Sequence, residues 1–385
     1  MRLQSLSIEH FRNYRSLSLD LSEAVTHVFV GENGTGKTNL LEAIGALSLT
    51  KSCRGRDDEE LALWGESFYR VRGTVLPDSG KETRLEVVAE MLPRRRKACF
   101  LNDVKTPLGH MVGFLPTVIF LPQDLLLFSG PPGERRRYID QLLSQVSPAY
   151  LERFSTYYKV LQQRNALLRR IADGEQAEDT LILWDTELAR HGAAMTVARL
   201  ELIETLNLSF AEEVMSLGEQ WDDVRIVYER KGNARTEDDI AAELRSLLVR
   251  HRKRDLAMLS TSIGPHREDW QAVTGGRALP TFSSRGQERV AVLALLLLEV
   301  SYVELRRNER PLILLDDAFS ELDDAHQDAL LDAIRGCQVL MTATRLPFGV
   351  EDVRVWKVGE GTVRPGRHLL ESAYVSTRTP SSARS

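Results

Sequence analysis

The sequence predicts an α/β protein built around a phosphate-binding loop, with a mainly helical second domain inserted between two lobes of the α/β domain. Three observations support this fold class. An apolar stretch at 25–30 leads into a run that matches G-x-x-x-x-G-K-[ST]. A second apolar stretch at 312–315 ends in two aspartates. Between them, residues 149–264 lack proline and repeat apolar side chains at the helical spacing of three or four.

Length and composition indicate a soluble globular protein of two or three domains, with 385 residues of which 43% are hydrophobic. No apolar run reaches the roughly 18 residues of a membrane span, and the first residues lack the apolar segment of a signal peptide. Cys53, Cys99 and Cys337 are far apart, which predicts neither a disulfide framework nor a zinc site. We therefore expect a cytoplasmic protein.

The overall charge is acidic, with a formal net charge of −5 and a pI near 6.0. Nucleic-acid binding by such a chain requires a local basic patch. Two arginine runs are candidates, although each also fits a solvated surface: Arg94, Arg95 and Arg96, and Arg135, Arg136 and Arg137.

The loop at 31–38 has the residue types that phosphate binding requires. Its glycines allow backbone N–H groups to turn toward a polyphosphate, Lys37 can reach the terminal phosphates, and the Thr38 hydroxyl can bind Mg²⁺. Apolar residues then recur with the period of a helix that packs on a sheet. The full set of loop residues is Gly31, Glu32, Asn33, Gly34, Thr35, Gly36, Lys37 and Thr38.

Alternating apolar residues predict further strands before and after the loop, which make the N-terminal lobe rich in β-structure. The last of these strands, at 118–121, ends near Gln123. A Ser-Gly-Pro-Pro-Gly break follows, so we assign 1–128 to the N-terminal lobe and 129–262 to the helical insertion.

The chain then returns to short strands and a very apolar helix at 290–305, which follows Ser284-Arg285-Gly286-Gln287. Asp316 and Asp317 lie at the carboxyl end of a buried strand, where ligands bind in open α/β sheets. These features place the C-terminal lobe at 263–370. The final segment, 371–385, has the composition of a disordered tail.

Taken together, the motifs resemble those of the ABC-type ATPases, and more specifically the RecF family within their SMC-like DNA-repair branch. The resemblance runs from residue 1 to about residue 345. It is carried by Phe11-Arg12-Asn13-Tyr14, the loop at 31–38, Gln123, Arg135-Arg136-Arg137, Gln163-Arg164-Asn165, Gly264-Pro265-His266-Arg267, Ser284-Arg285-Gly286-Gln287, Asp316-Asp317 and Phe319-Ser320-Glu321-Leu322-Asp323.

The resemblance implies an ATP and Mg²⁺ site that is completed only in a dimer. Lys37 and Thr38 would hold phosphate and metal, with Gln123 and Asp316 also near the metal. Asp317 would take the position of the catalytic base. Ser284 and Gly286 would contact the γ-phosphate of a nucleotide on the other protomer. Nucleotide contacts are also implied for Arg12, Asn13, Gln287 and Asp323.

Two departures from the pattern of transporter-type ATPases predict slow hydrolysis. Asp317 is one methylene shorter than the usual glutamate, and Thr342 or Thr344 stands where those enzymes carry a switch histidine. A threonine lacks a cationic ring, so it stabilises transition-state charge less well.

The resemblance also implies a role. It predicts an ATP-dependent homodimer that binds single- and double-stranded DNA at gaps or junctions. With RecO and RecR it would load RecA in recombinational repair, replication restart and the SOS response, in association with the nucleoid.

Three other functions compete with this one. A transporter ATPase subunit should have a switch histidine, and a chromosome-organising head should have a far longer insertion. A metabolic P-loop kinase would lack the Ser-x-Gly-Gln helix.

Overall fold

The structure is a computed structural model that describes residues 1–221, 223–320, 322–346 and 353–369. Contacts between Cα atoms divide the chain into two compact units. The first unit contains Met1–Asp124 and the described residues from Glu299 onward, and the second unit is Leu125–Leu298. The tail predicted to be disordered, 371–385, lies outside the described residues.

The strands and helices alternate irregularly along the chain. The strands are β1 (Arg2–Phe11), β2 (Tyr14–Asp20), β3 (Thr26–Val30), β4 (Phe68–Leu76), β5 (Thr83–Glu90), β6 (Arg96–Leu101), β7 (Val104–Thr106), β8 (Thr117–Phe120), β9 (Arg225–Glu229), β10 (Asp269–Thr274), β11 (Arg277–Ala278), β12 (Leu312–Asp316), β13 (Val339–Ala343), β14 (Val353–Gly359) and β15 (Thr362–Leu369). The helices are α1 (Lys37–Leu49), α2 (Asp58–Leu61), α3 (Leu108–Met111), α4 (Pro132–Val146), α5 (Pro148–Ala172), α6 (Leu181–Asn207), α7 (Phe210–Ser216), α8 (Glu237–Met258), α9 (Arg285–Arg307) and α10 (Asp324–Ala333).

The first unit consists of two six-stranded sheets that both contact α1. One sheet has the order β2-β1-β4-β5-β6-β7 and is antiparallel. The other has the order β15-β14-β3-β13-β12-β8, in which only β15 is antiparallel to its neighbour. Leu40, Leu41, Ile44 and Leu47 of α1 are fully buried, because the helix packs on both sheets. The mixed α/β fold predicted from the sequence is confirmed.

The second unit combines α4–α8 and the first part of α9 with a small sheet of order β11-β10-β9. Its C-terminal limit, Leu298, lies beyond residue 262, where the sequence placed the end of the insertion. The residues of β10 belong to this unit because β10 pairs with β9. In addition, Trp270 of β10 donates from Nε1 to the Arg135 carbonyl at 2.7 Å.

Some strands were not predicted. Residues 225–229 lie within the stretch assigned to helices, yet they form β9 because their partner strand arrives from β10, about 40 residues later. The strands β14 and β15 were not predicted from the sequence either. The apolar helix predicted at 290–305 is α9, which is longer at both ends. Across the described ranges, no helix is both long and apolar enough to span a membrane.

The Gln163-Arg164-Asn165 motif lies in α5 and anchors a buried polar network. The fully buried Arg164 guanidinium donates to Asp185 at 2.7 Å and to Asp255 at 2.8 Å. Asn165 Oδ1 accepts from the Thr261 N–H at 2.8 Å. These bonds join α5, α6, α8 and the segment after α8. The motif therefore holds the second unit together.

The Gly264-Pro265-His266-Arg267 motif belongs to the same network. Tyr157 donates its hydroxyl to His266 Nδ1 at 2.6 Å, and His266 Nε2 lies 3.1 Å from the Thr261 carbonyl oxygen. Burial lowers the pKa of His266 to about 4, so the ring is neutral. Its proton lies on Nε2, because this nitrogen faces a carbonyl oxygen. Gly264 has φ +126°, and a Cβ there would lie 2.4 Å from the Tyr157 hydroxyl. Both its backbone conformation and the lack of space require glycine.

Candidate functional site

The phosphate-binding loop joins β3 to α1, as the sequence predicted, and α1 begins at Lys37. Gly36 has φ +105°, and a Cβ at this position would lie 2.3 Å from the Asn13 amide nitrogen. Glu32, Asn33 and Gly34 are exposed at the tip of the loop. A helix N-terminus behind an open glycine loop is a favourable anion site, because its free N–H groups and dipole both attract negative charge.

Lys37 is folded onto its own loop. Its ammonium donates to the Gly31 carbonyl at 2.7 Å and to the Glu32 carbonyl at 2.9 Å. The side chain is 7% exposed. Thr35 reinforces the same turn by donating to the Glu32 carbonyl at 2.8 Å. The cation is therefore held at the loop by neutral acceptors.

The Thr38 hydroxyl contacts Asp316, although the two residues are 278 positions apart in the chain. Thr38 donates to the two carboxylate oxygens at 2.9 and 2.8 Å. The contact arises because β3, β13 and β12 are parallel neighbours, so that their carboxyl ends meet at one edge of the sheet. A hydroxyl and a carboxylate are hard oxygen donors of the kind that Mg²⁺ prefers. These two residues fit the implied Mg²⁺.

Thr342, on β13, connects the two aspartates. Its hydroxyl donates to Asp316 Oδ1 at 2.7 Å and accepts from the Asp317 N–H at 2.9 Å. Asp317 has φ +50°, a conformation that aspartate and asparagine tolerate better than most residues. Thr342 is 1% exposed, whereas Thr344 is exposed beyond the end of β13. Thr342 thus orients the Asp316 carboxylate and holds the backbone of Asp317, a role that the sequence did not indicate.

We expect Thr342→Val to lower ATP turnover by about 10- to 100-fold, because residues that orient metal ligands have effects of that size. The variant keeps the shape of the side chain and removes its hydroxyl. Turnover measured against Mg²⁺ concentration should show a higher Mg²⁺ requirement. Thr342→Ser should restore most of the activity. The control is Thr106→Val in β7, whose hydroxyl donates to the Val104 carbonyl. Normal Mg²⁺ dependence in Thr342→Val would refute this role.

Asn13 and Arg12 lie between β1 and β2, beside the loop. Asn13 donates to the Thr35 carbonyl at 3.1 Å and accepts from Asn39 at 2.9 Å. Arg12 instead donates from Nε to the buried Glu42 at 2.9 Å. Asn13 therefore contacts the loop directly, and nucleotide contact by either Asn13 or Arg12 stays a prediction.

Tyr14 has no predicted role of its own, but its hydroxyl donates to the Gly36 carbonyl at 2.9 Å. Burial raises the pKa of this hydroxyl, so it remains a donor over the physiological range of pH.

Gln123 is exposed in the turn Pro122–Leu126 that follows β8. The strands β8 and β12 are parallel neighbours. Gln123 therefore follows the end of β8 at the same sheet edge where β12 ends with Asp316.

The Ser284 motif forms a capping box at the start of α9. Ser284 Oγ accepts from the Gln287 N–H at 3.2 Å, and Gln287 Oε1 accepts from the Ser284 N–H at 3.0 Å. Gln287 also donates from Nε2 to Glu219 at 3.0 Å. Ser284 and Gly286 are accessible to solvent. The motif therefore displays a serine at a helix N-terminus.

Asp323 caps α10 in a similar way by accepting from the His326 N–H at 3.0 Å. That hydrogen bond is the main cause of a lowered pKa for the Asp323 carboxyl. Its implied contact with nucleotide stays a prediction.

The prediction that Arg135 contacts DNA as part of the 135–137 run is wrong. It is 4% exposed and forms a two-pronged ion pair with Asp269 at 2.9 and 2.7 Å. It also donates to the Phe128 and Gly130 carbonyls at 2.9 and 2.8 Å. A guanidinium so enclosed has no free edge for a phosphate.

The other arginines of the two runs are more accessible. Arg136 donates to the Glu268 carbonyl at 3.0 Å, and Arg137 pairs with Glu134 at 2.7 Å. Arg94, Arg95 and Arg96 are exposed around the turn between β5 and β6, where Arg95 pairs with Glu59. Their DNA contacts stay predictions.

Arg135→Gln is expected to destabilise the second unit by about 3–5 kcal/mol, because it leaves Asp269 without its buried partner. Arg137→Gln, at a position that is 24% exposed, serves as the control and should change stability by less than about 0.5 kcal/mol. Urea unfolding measures both. Equal stability of the two variants would contradict a structural role for Arg135.

These features define a class of protein. A phosphate-binding loop before a helix, an aspartate strand that contacts the loop threonine, and a serine-capped helix together describe an ATPase head of the ABC and SMC type. The family model "RecF/RecN/SMC N terminal domain" matches residues 2–348.

Comparison with individual proteins narrows the class. A DNA replication and repair protein RecF from Lachnoclostridium phytofermentans is 34% identical over 371 residues, which cover 95% of this chain and 100% of that relative. The RecF of Heliobacterium modesticaldum is 36% identical over 352 residues, covering 90% of this chain and 93% of its own. The chain belongs to the RecF family, a family of SMC-like ATPases.

Solved structures agree with this family. The structure described as the recombination mediator protein RecF with ATP, in the RecFOR pathway, has a TM-score of 0.88 and 32% identity, and the match covers 95% of this chain and 97% of that chain. An Smc head bound to a domain of ScpA has a TM-score of 0.54 at 15% identity, which shows a shared fold alone. Nothing in these matches favours the transporter or kinase alternatives.

Proposed function

We propose that this chain is an ATP-controlled DNA-binding protein of recombinational repair. It dimerises on ATP, binds DNA at gaps or at junctions of single and double strands, and helps RecO and RecR to load RecA. Hydrolysis is slow and DNA-stimulated, and it serves as a switch that ends DNA binding. The observation that carries the proposal is the contact of Thr38 with Asp316, held by Thr342.

Each residue of this cluster has a chemical role in the proposal. Mg²⁺ would neutralise charge on the β- and γ-phosphates. Lys37 moves from the Gly31 and Glu32 carbonyls to the phosphates, with which it forms charge-assisted hydrogen bonds. Thr38 and Asp316 would bind the Mg²⁺ that accompanies the triphosphate. Asp317 accepts the proton of the attacking water.

The dimer would form through Ser284. Its hydroxyl and the first N–H groups of α9 suit a phosphate, because a helix N-terminus attracts anions. Ser284 is accessible to solvent, as a residue that meets a partner protomer has to be. The γ-phosphate of one protomer would then bridge to α9 of the other, and ADP would not.

DNA and protein partners follow from the family. The solved relative is described as a recombination mediator in the RecFOR pathway, which supports RecO and RecR as partners. Because the chain carries a net charge of −5, DNA binding requires a concentrated basic surface. The exposed Arg94, Arg95 and Arg96 and the partly exposed Arg136 and Arg137 are the remaining candidates. Association with the nucleoid would follow from DNA binding.

Ser284 variants test the proposal. Ser284→Asp retains a helix-capping side chain but places a carboxylate against the γ-phosphate. It should bind ATP as a monomer and lose ATP-dependent dimerisation, hydrolysis and DNA retention together. Ser284→Arg should do the same by filling the phosphate volume, whereas Ser284→Thr should stay active.

The measurement is molar mass in solution with ATP or ADP, combined with ATPase assays. Mixing Ser284→Asp with Lys37→Ala creates heterodimers in which one composite site carries both changes and the other carries neither. Partial recovery of ATPase activity supports shared sites. A fully active, monomeric Ser284→Asp protein would overturn the proposal.

A further inference from the structure

Trp64 is displayed to solvent in the first unit, with a relative exposure of 99%. It lies between α2 and β4, and the following Gly65 has φ +86°. A fully exposed indole leaves a large apolar face uncovered, and a ligand that packs on this face would bury it. The exposure of Trp64 is therefore suited to contact with a ligand.

The backbone around Trp64 is firmly held, so its exposure does not come from a loose loop. Arg12 donates its N–H to the Leu61 carbonyl at 2.7 Å, and Leu63 donates to the His10 carbonyl at 2.8 Å. Ala62 forms an antiparallel bridge with Phe11. These bonds fix the segment before Trp64 along the end of β1.

Trp64 lines a hollow of about 560 Å³ that also includes Asn13 and Asn39. These two asparagines connect the hollow to the phosphate-binding loop. Asn39 is the third residue of α1 and donates to Asn13 at 2.9 Å, while Asn13 donates to the Thr35 carbonyl at 3.1 Å. A ligand whose phosphates lie on the loop can therefore extend past Asn13 toward Trp64.

The charges around the hollow favour a neutral ring over a phosphate. Glu59 and Glu60 line it. The Arg12 guanidinium is already engaged, with Nε and one terminal nitrogen on Glu42 at 2.9 and 3.1 Å and the other on the Glu60 carbonyl at 2.7 Å. Glu59 also pairs with Arg95, and Glu60 with Arg56 at 3.6 Å. The remaining lone pairs of these carboxylates can accept hydrogen bonds from the exocyclic amino group of a base.

We propose that Trp64 is the stacking platform for the purine base of the nucleotide whose phosphates bind the 31–38 loop. This inference rests on the proposed ATP binding and adds the residue that contacts the base. An indole face stacks well on a purine, and the hollow gives the ring a place outside the phosphate site. Trp64 accordingly strengthens nucleotide binding without contacting the reacting phosphate.

The test compares ATP with inorganic tripolyphosphate, both with Mg²⁺, by calorimetry on the full chain. Trp64→Ala should weaken ATP binding by about tenfold, the usual effect of removing one aromatic stacking partner. Tripolyphosphate has no base, so its affinity should be unchanged. Trp64→Phe should keep most of the affinity for ATP.

Tryptophan fluorescence gives a second readout. ATP should quench the emission of the wild type, and Trp64→Ala should lose this quenching. Trp184→Phe, a matched change in α6 of the second unit, should retain it.

Two outcomes overturn the inference alone: Trp64→Ala binds ATP as the wild type does, or it loses tripolyphosphate binding equally. Normal ATP binding with loss of dimerisation would also overturn it, since Trp64 would then contact protein. If the wild type binds no ATP, the proposed function fails as well.

Discussion

Lys37→Ala is expected to weaken ATP binding by about 10²-fold or more and to abolish ATP-dependent DNA retention. Hydrogen bonds to charged groups contribute about 1.5–3 kcal/mol each, and the ammonium can give the phosphates two of them. In the structure the same ammonium donates hydrogen bonds to the Gly31 and Glu32 carbonyls at 2.7 and 2.9 Å. Both acceptors are neutral, so a polyphosphate competes with them effectively.

Isothermal titration with ATP and Mg²⁺ measures this loss, and DNA retention is followed by fluorescence anisotropy. Lys37→Met is the matched variant, because it keeps an unbranched apolar stem in the 7% exposed position and removes only the charge. Thermal unfolding without nucleotide shows whether the loop itself has collapsed. ATP-dependent retention on DNA by a well-folded Lys37→Ala protein would contradict the assignment.

Asp317→Asn is expected to reduce ATP hydrolysis by about 10²- to 10⁴-fold while ATP binding stays near normal. The change removes the base and keeps the shape of the side chain. Asparagine also tolerates the positive φ of +50° at this position. The backbone N–H of this residue donates to the Thr342 hydroxyl at 2.9 Å in the wild type, and the substitution does not remove that N–H. Mg²⁺ and phosphate contacts through Thr38 and Asp316 should persist.

Because the ATP-bound dimer would no longer be resolved by hydrolysis, this variant should remain on DNA far longer than the wild type. Single-turnover hydrolysis and the rate of dissociation from gapped DNA measure the two effects separately. Asp317→Glu is a useful comparison, since it restores a base one methylene longer but is less suited to positive φ. Faster release of Asp317→Asn from DNA would refute the role of Asp317 as the base.

Several features of the chain could be predicted from the sequence because they depend on short stretches. The 31–38 loop, its flanking strand and helix, and the apolar strand ending in Asp316 all follow from spacing that is visible within about ten residues. Hydrophobic period then distinguishes helix from strand where the pattern is long, as in α5, α6 and α9. The order of the motifs indicated the family, which the comparisons confirmed.

Other features depend on residues that meet across long stretches of chain, and only the tertiary structure decided them. Arg135 belongs to a basic run, yet its side chain is buried against Asp269, 134 positions away. The sequence predicts Thr342 as one of two candidates for a switch position, but β13 pairs with β12 and turns its hydroxyl toward Asp316. The strand β9 likewise exists because β10 pairs with it.

The physical reason for this division is the range of the interactions involved. Backbone conformation and helical or strand period are set by neighbours in the chain, so the sequence by itself determined the phosphate-binding loop and the class of fold. Burial, ion pairing and exposure depend on which surfaces pack together. Only the tertiary structure therefore decided that Arg135 stabilises the second unit, that Thr342 holds the Asp316 carboxylate and the Asp317 backbone, and that Trp64 faces an open hollow beside Asn13.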